Sequence, residues 1–489
     1  MFATAPFRRR AACVALLSGA AILAGPALAA DKPATAEGAK AVQAVFDRFL
    51  PAPTAEAQPF VSVKVDGESY VVSVDLAAVN GALKAAGADA SYEPAALVYR
   101  LFEQDDGKWR VVQEAFPKIV SHVRDATSVV DIVTYRQTFV IDPALAWFTS
   151  GAASADKGNM TVKAANLDET FDFGPLKADL ATTVDSTRSV SSSVKETIDA
   201  IAFKVAGTDK DGRPVNVSGR MDRAAFSVGV DRLKSKTLFD LVALLSAHRA
   251  DLAEHEVELK DLLRPLAAPG LRFAEGGEAS KLLIESPIGA IALSEARFAV
   301  GVSNNGPESA VDATVGAEGL SLPVGLLPPG AADLTPSKIN LTATVNGFDI
   351  AAAADTAIDN LHLASGGPAI SPSDSAKVSA ALIGGRPIKV ALAPSHVVAP
   401  AVDADLQGDL TYAAGKASGA VTVRMRGFDK TMNAVKALGP EIALKALPAL
   451  AMAKGLAKTE TDGALSWLIE LGDDRSIKVN GLPLGKAPE

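Results

Sequence analysis

Alternation of apolar and polar residues is the dominant pattern along this chain. Phe60-Val61-Ser62-Val63-Lys64-Val65 and Tyr70-Val71-Val72-Ser73-Val74 flank Asp66-Gly67. A period of two is that of a strand with one buried face. Asp-Gly tolerates the positive φ of a tight turn, so the spacing predicts a hairpin over 60–74. The arrangement recurs around Asp106-Gly107, with Leu97 to Phe102 before it and Trp109 to Val112 after it. It recurs around Asp211-Gly212, between Ile201 to Val205 and Val215 to Ser218, and around Gly472-Asp473-Asp474-Arg475, between Leu465 to Leu471 and Ser476 to Val479. Much of the chain therefore reads as an antiparallel meander with one polar face.

Helical spacing is less frequent and is clearest in four stretches. Ala39 to Phe49 carries Val42, Val45, Phe46 and Phe49 on one side, and Leu76 to Ala86 ends at Gly87. The longest stretch, Lys236 to Leu263, has one apolar stripe at Leu238, Leu241, Val242 and Leu245. A second follows at Leu259, Leu262 and Leu263, with Pro265 as its stop. Lys430 to Leu456 is helical, interrupted at Gly439-Pro440 and Pro448. Apolar stripes on helices pack on a core, and a lipid groove between them is the alternative.

A strand runs into a helix at Asn346-Gly347-Phe348-Asp349 and again at Arg426-Gly427-Phe428-Asp429. Val230-Asp231-Arg232-Leu233 reads as a more diverged copy. In each the Asp is placed to cap the helix. Small polar residues from Thr149 to Lys157 suggest a domain boundary, and Pro323 to Pro336 and Ser365 to Ser375 read as loops. The expected architecture is α+β and β-rich: long antiparallel meander sheets with interspersed short helices. Its parts are 1–29 (a signal peptide), 30–150 (α+β), 151–270 (hairpin and helix) and 271–489 (repetitive β/helix).

The start of the chain changes the picture. Arg8-Arg9-Arg10, an apolar run from Ala11 to Gly25 and Pro26-Ala27-Leu28-Ala29-Ala30 have the order of a secretory signal with an A-x-A site. Cleavage is expected near Ala29/Ala30, which makes the protein periplasmic; retention as an anchor is the alternative. Arg10 spoils a lipoprotein site at Cys13, and little beyond paired arginines speaks for the twin-arginine route. Cys13 is the sole cysteine, so the mature chain has no thiol chemistry and no disulfide.

The chain carries 48 Lys+Arg against 57 Asp+Glu; without the three signal arginines the balance is 45 against 57, or −12. That charge argues against nucleic acid and against an anionic membrane surface as electrostatic partners. With aromatics at 5 %, the girdles of an outer-membrane barrel are missing, and no membrane span is expected after cleavage.

Candidate chemistry is thin. Ser192-Ser193-Val194-Lys195 fits S-x-x-K but lacks the K-T-G and S-D-N partners of the penicillin-recognising enzymes. Ser154-Ala155-Asp156-Lys157 fits it as well, which shows how cheaply the pattern arises, and Ser192 to Lys195 reads as a Ser-rich, solvated turn. Of His122, His248, His255, His362 and His396, none lies in H-E-x-x-H. His248 and His255 fall on one expected helix, ~10 Å apart along its axis, too far for one zinc without a fold-back. Asp403-Ala404-Asp405-Leu406-Gln407-Gly408-Asp409 begins like a calcium loop, but Ala414 stands where the bidentate Glu belongs. Asp209-Lys210-Asp211-Gly212 is read as a hairpin turn. No catalytic, cofactor-binding or metal-ligating residue is assigned.

The stretch Thr461-Asp462-Gly463-Ala464-Leu465-Ser466-Trp467-Leu468-Ile469-Glu470-Leu471 leads to Ile477-Lys478-Val479-Asn480-Gly481-Leu482-Pro483-Leu484. With Leu334 to Asp349, it resembles a family of exported, repetitive β-proteins of unknown function in Gram-negative bacteria, distantly similar to AsmA-like envelope proteins. The resemblance implies an extended sheet with interspersed helices, an envelope role and an association with lipids, and it offers no catalytic residues. AsmA-like proteins are generally anchored, whereas this signal reads as cleavable. The expected function is a non-enzymatic periplasmic envelope protein binding a lipid or another amphipathic envelope component. A structural or protein-interaction role, and a hydrolase without a recognisable motif, are the alternatives.

Overall fold

The computed structural model describes residues 31–49, 59–85, 87–208, 212–249, 251–323, 325–328, 330–363 and 368–486. The export segment, with Cys13 and Ala29/Ala30, lies outside them, as does 209–211 of the third hairpin turn. The chain divides into two compact units at Leu266/Ala267. The expected boundary at Thr149 to Lys157 is instead the interior of a sheet. Gly151, Ala152, Ala153 and Ala155 are small because they are buried in a strand, not because they link domains.

The first unit opens with helix α1 (Ala36–Asp47) and the strands β1 (Val61–Asp66) and β2 (Ser69–Asp75). After helix α2 (Val79–Ala85) come β3 (Ala90–Tyr92), β4 (Ala96–Glu103), β5 (Trp109–Gln113), β6 (Ile119–Val123), β7 (Ala126–Val133) and β8 (Arg136–Asp142). Then follow β9 (Trp147–Ala155), β10 (Lys157–Ala164), β11 (Leu167–Phe173), β12 (Leu176–Val184), β13 (Val190–Thr208) and β14 (Pro214–Leu233). All pairings are antiparallel. One path runs β1-β2-β4-β5-β8-β9-β12-β13-β14 and a second runs β3-β6-β7-β10-β11-β13. Strand β13 serves both: its first half pairs with β12, its second with β11, and Ala200 at φ +52° marks the changeover.

The hairpins form where Asp-Gly predicts them. Gly67, Gly107 and Gly212 all sit at positive φ, which glycine tolerates without a Cβ clash. Helix α1 begins with Thr35 as its cap, the Thr35 hydroxyl accepting from Gly38 N–H at 3.0 Å. The hydroxyl of Tyr70 accepts from Thr35 N–H at 3.1 Å. A Cβ on Gly38 would stand 2.0 Å from that hydroxyl, so glycine lets the helix sit on the sheet. Val42 packs there with Val61, Tyr70, Val72, Leu101, Val111 and Phe139.

The expected single helix over 236–263 is two. Helix α3 (Ser235–Ala247) ends at His248, a 3-10 turn spans Leu252–His255, and helix α4 (Glu256–Ala267) follows. Between Leu245 and Leu252 no large apolar residue continues the stripe, so little holds a straight helix against the core there. Pro265 lies inside α4 without stopping it at once, because the φ that its ring imposes is itself helical.

The second unit is a simple meander. Strands β15 (Arg272–Ser286), β16 (Gly289–Ser303) and β17 (Ser309–Glu318) precede helical turn α5 (Ala331–Leu334) and β18 (Lys338–Phe348). Helices α6 (Ile350–Asp359) and α7 (Pro372–Ile383) lead to β19 (Ile388–Ala399), β20 (Val402–Ala413) and β21 (Lys416–Arg426). Helices α8 (Phe428–Ala437) and α9 (Pro440–Leu456) lead to β22 (Lys458–Thr459), β23 (Leu465–Leu471), β24 (Ser476–Val479) and β25 (Leu482–Lys486). Each long strand pairs antiparallel with the next, from β15 to β21 and on through β23, β24 and β25. Both units are thus β-rich antiparallel meanders with short helices, as the alternation predicts.

The two Gly-Phe-Asp junctions fold differently in detail. Asp349 caps α6, its carboxylate accepting from Ala352 N–H at 2.9 Å. Asp429 does not cap α8; Gly427 is the N-cap, and Asp429 pairs with Lys454 at 2.5 Å. At the third site the helix follows Lys234 with no side-chain cap, and Asp231 lies within β14. Helix α9 runs through Pro448, and α7 starts at Pro372 inside the expected loop, capped by Ser371.

Candidate functional site: an apolar sheet face left open

Directly opposed residues of an antiparallel pair project to the same side, so the register sorts each sheet into faces. In the second unit one row reads Phe273, Val302, Val311, Val345, Val390, Leu410, Gly419, Leu471 and Ile477 across nine strands. Beside it on the same face, Phe298, Val315 and Leu341 are opposed in turn. The next row along, on the other face, reads Gly301, Asp312, Thr344, Ala391, Asp409, Ala420, Glu470 and Lys478. One face is hydrocarbon and the other is polar, as a period of two requires.

Helices cover only part of the apolar face. Phe428 stacks on Trp467 with ring centres 5.6 Å apart, and Met432, Leu450, Ala453 and Leu456 join Val423, Met425 and Leu465 around them. Trp467 donates to the Ala453 carbonyl at 2.7 Å, tying α9 to the sheet. Beyond that cover the face lies open. Phe273, Phe298, Val300, Val315, Leu341, Leu410, Tyr412 and Ile469 are between 37 % and 53 % exposed, and not one residue of the row from Phe273 to Ile477 is buried. Single exposed apolar side chains are ordinary on any protein; a contiguous exposed patch marks a binding surface.

The first unit carries a comparable row: Tyr70, Leu101, Val111, Phe139, Gly151, Leu180, Val194 and Val228. It is buried from Tyr70 to Gly151 and opens towards β14, where Phe226 and Val228 are exposed. A parallel row on the same face is mixed, running Gln113, Gln137, Ala153, Ala178, Glu196 and Phe226. Gln137 accepts from the Tyr135 hydroxyl. Burial pushes the Glu196 carboxyl up from its ordinary range, and burial likewise raises Tyr135.

The motifs weighed from the sequence land apart from one another. Ser192 and Lys195 both lie in β13, three residues apart and so on opposite faces. Ser192 is not in a solvated turn: it is buried, accepting from Trp147 Nε1 at 2.6 Å and sharing a hydrogen bond with Thr182 at 2.7 Å. Lys195 is exposed. Asp403, Asp405 and Asp409 lie in β20 rather than in a loop, so their spacing is the strand period, not that of calcium ligands. Asp405 is 2.7 Å from His396 Nδ1 and pairs with Arg424 and Arg426. His122 contacts Thr127 and Glu93.

The separation expected between His248 and His255 is overturned. The helix breaks between them, and their ring centres are 3.5 Å apart. Asp251 lies within reach of both. Among the described residues no helix is long and apolar enough to cross a membrane. Compared with protein families, curated proteins and solved structures, the chain matches none.

Proposed function

We propose that this chain is a non-enzymatic, periplasmic protein of the cell envelope that binds the acyl chains of a lipid along the open apolar face of its second unit. The observation that carries the reading is the exposure of the strip from Phe273 to Ile469 on a sheet whose other face is polar. A free-standing hydrocarbon strip loses free energy to water in proportion to its area, and covering it with an acyl chain returns about 0.8 kcal/mol per buried methylene. The export-type N-terminal sequence and the resemblance to AsmA-like envelope proteins agree with such a ligand. The polar side chains of the opposite face, from Asp312 to Lys478, keep that side in water.

The test is native mass spectrometry, with solvent extraction of lipids, on the full protein purified from the compartment where it accumulates. A stoichiometric lipid, released together with a mass shift, is the expected result. A clean unliganded mass that stays unliganded when a fatty acid is added overturns the reading and moves the weight to protein contacts.

A further inference from the structure

We propose that His248, Asp251 and His255 form a binding site for a single divalent transition-metal ion, zinc being the best match to the donor set. The site goes beyond the lipid reading and does not depend on it. It is made by the break between α3 and the turn at Leu252–His255. The chain reverses tightly enough there to bring residues seven apart into ring contact, with centres 3.5 Å apart and planes inclined by 34°.

The geometry of the donors carries the argument. One ligand atom from each of the three residues lies within 4.8 Å of the others. One Asp251 carboxylate oxygen, Oδ2, stands 3.4 Å from His248 Nδ1 and 3.8 Å from His255 Nε2. Zinc–nitrogen and zinc–oxygen bonds are about 2.0–2.2 Å, so ligand atoms at tetrahedral corners lie about 3.3–3.6 Å apart. Two edges of that triangle are therefore close to their coordinated length already.

The outer shell fits too. The remaining nitrogen of His255, Nδ1, is 3.5 Å from a Glu258 carboxylate oxygen. A carboxylate behind a ligating imidazole fixes its tautomer and orientation. All three side chains keep a path to solvent, being 34 %, 46 % and 28 % exposed in chain order. Three protein ligands leave a fourth position for water.

The experiment uses the full chain without a polyhistidine tag. Zinc binding is measured by equilibrium dialysis and calorimetry, and cobalt replaces zinc for visible spectroscopy. The expected result is one ion per chain and a tetrahedral cobalt spectrum. His248→Ala and His255→Ala should each weaken zinc binding by at least about 10- to 100-fold, the loss seen when even an outer-shell partner is removed. His122→Ala and His396→Ala should bind as the wild type does. Absence of saturable zinc binding, or binding retained in both His248→Ala and His255→Ala, overturns the proposal. If either alanine variant loses its circular-dichroism signature, the wild-type cobalt spectrum decides: tetrahedral intensity supports the site, and the spectrum of the aqueous ion refutes it.

Discussion

Replacing Val315 with aspartate puts the open face to a direct test. Val315 lies between Phe298 and Leu341 and is 53 % exposed. Complete burial of a valine is worth about 1.5–3 kcal/mol, so covering the exposed half is worth roughly 1 kcal/mol. Aspartate forfeits that and sets a carboxylate against the bound chain, which costs at least about 1 kcal/mol more. The total of about 2 kcal/mol corresponds to a roughly 30-fold loss of affinity. The control is one residue away. Thr314 belongs to the same strand but faces the polar side, where it shares a hydrogen bond with Thr342 at 3.2 Å. Thr314→Asp adds the same charge to the wrong face for a lipid, so binding should change by less than about 2-fold. The assay is titration with a fluorescent fatty-acid analogue, alongside urea unfolding to confirm that Val315→Asp, at an exposed position, shifts stability by no more than about 0.5 kcal/mol. Equal losses in the two variants, or none in either, would refute the assignment of faces to function.

Other consequences are open to simpler measurements. Ser192→Ala strips a buried acceptor from Trp147 and a partner from Thr182; unfolding in urea should show a loss of about 1–3 kcal/mol. Lys195→Ala, exposed on the opposite face, should change stability by less than about 0.5 kcal/mol, whereas a serine–lysine catalytic pair would tie both residues to activity rather than to stability. Glu196 supplies a pH dependence. Its carboxyl is raised by burial when folded, so between its unfolded and folded values the native state holds a proton that the unfolded state has released. Its contribution to stability therefore falls as pH rises through that window. Glu196→Gln should abolish that fall and be the more stable chain at neutral pH, read as urea midpoints from about pH 4 to about pH 8.

The fold was legible wherever local chemistry decided it. Alternation and Asp-Gly turns marked the strands because a half-buried strand has one period and a tight turn few permitted residues. The open strip was implicit in the same alternation, but its exposure was not: a pattern reports which side is apolar and not whether anything covers it. The apolar stripes of the helices are covered only in part, with Leu241 and Leu259 buried but Val242 and Leu245 44 % and 40 % exposed, whereas the sheet carries an open row that crosses nine strands. The histidine cluster was hidden by an assumption of helical continuity. The lack of any large apolar residue between Leu245 and Leu252 is the available sign of the break, since a helix without a stripe has little to pack against. The start of α7 could have been read from Ser371-Pro372-Ser373-Asp374, a capping residue followed by proline at the first helical position. The Gly-Phe-Asp resemblance foresaw both strand-to-helix junctions but not which residue caps each, because a glycine at positive φ can take over the cap and free the aspartate for an ion pair.

The strand order of the second unit makes the length of its hydrocarbon strip a modular quantity. Each long strand hydrogen-bonds to its neighbour in sequence, and a connection returns the chain with the same side chains facing the same way. Neighbouring strands are about 4.8 Å apart, so one more hairpin would lengthen the strip by about 10 Å and one fewer would shorten it as much. Neither change would invert a face or leave a pairing unmade in the middle. Gene-level gain or loss of a hairpin thus acts as a ruler, resizing the surface offered to a long molecule without redesigning the fold that presents it.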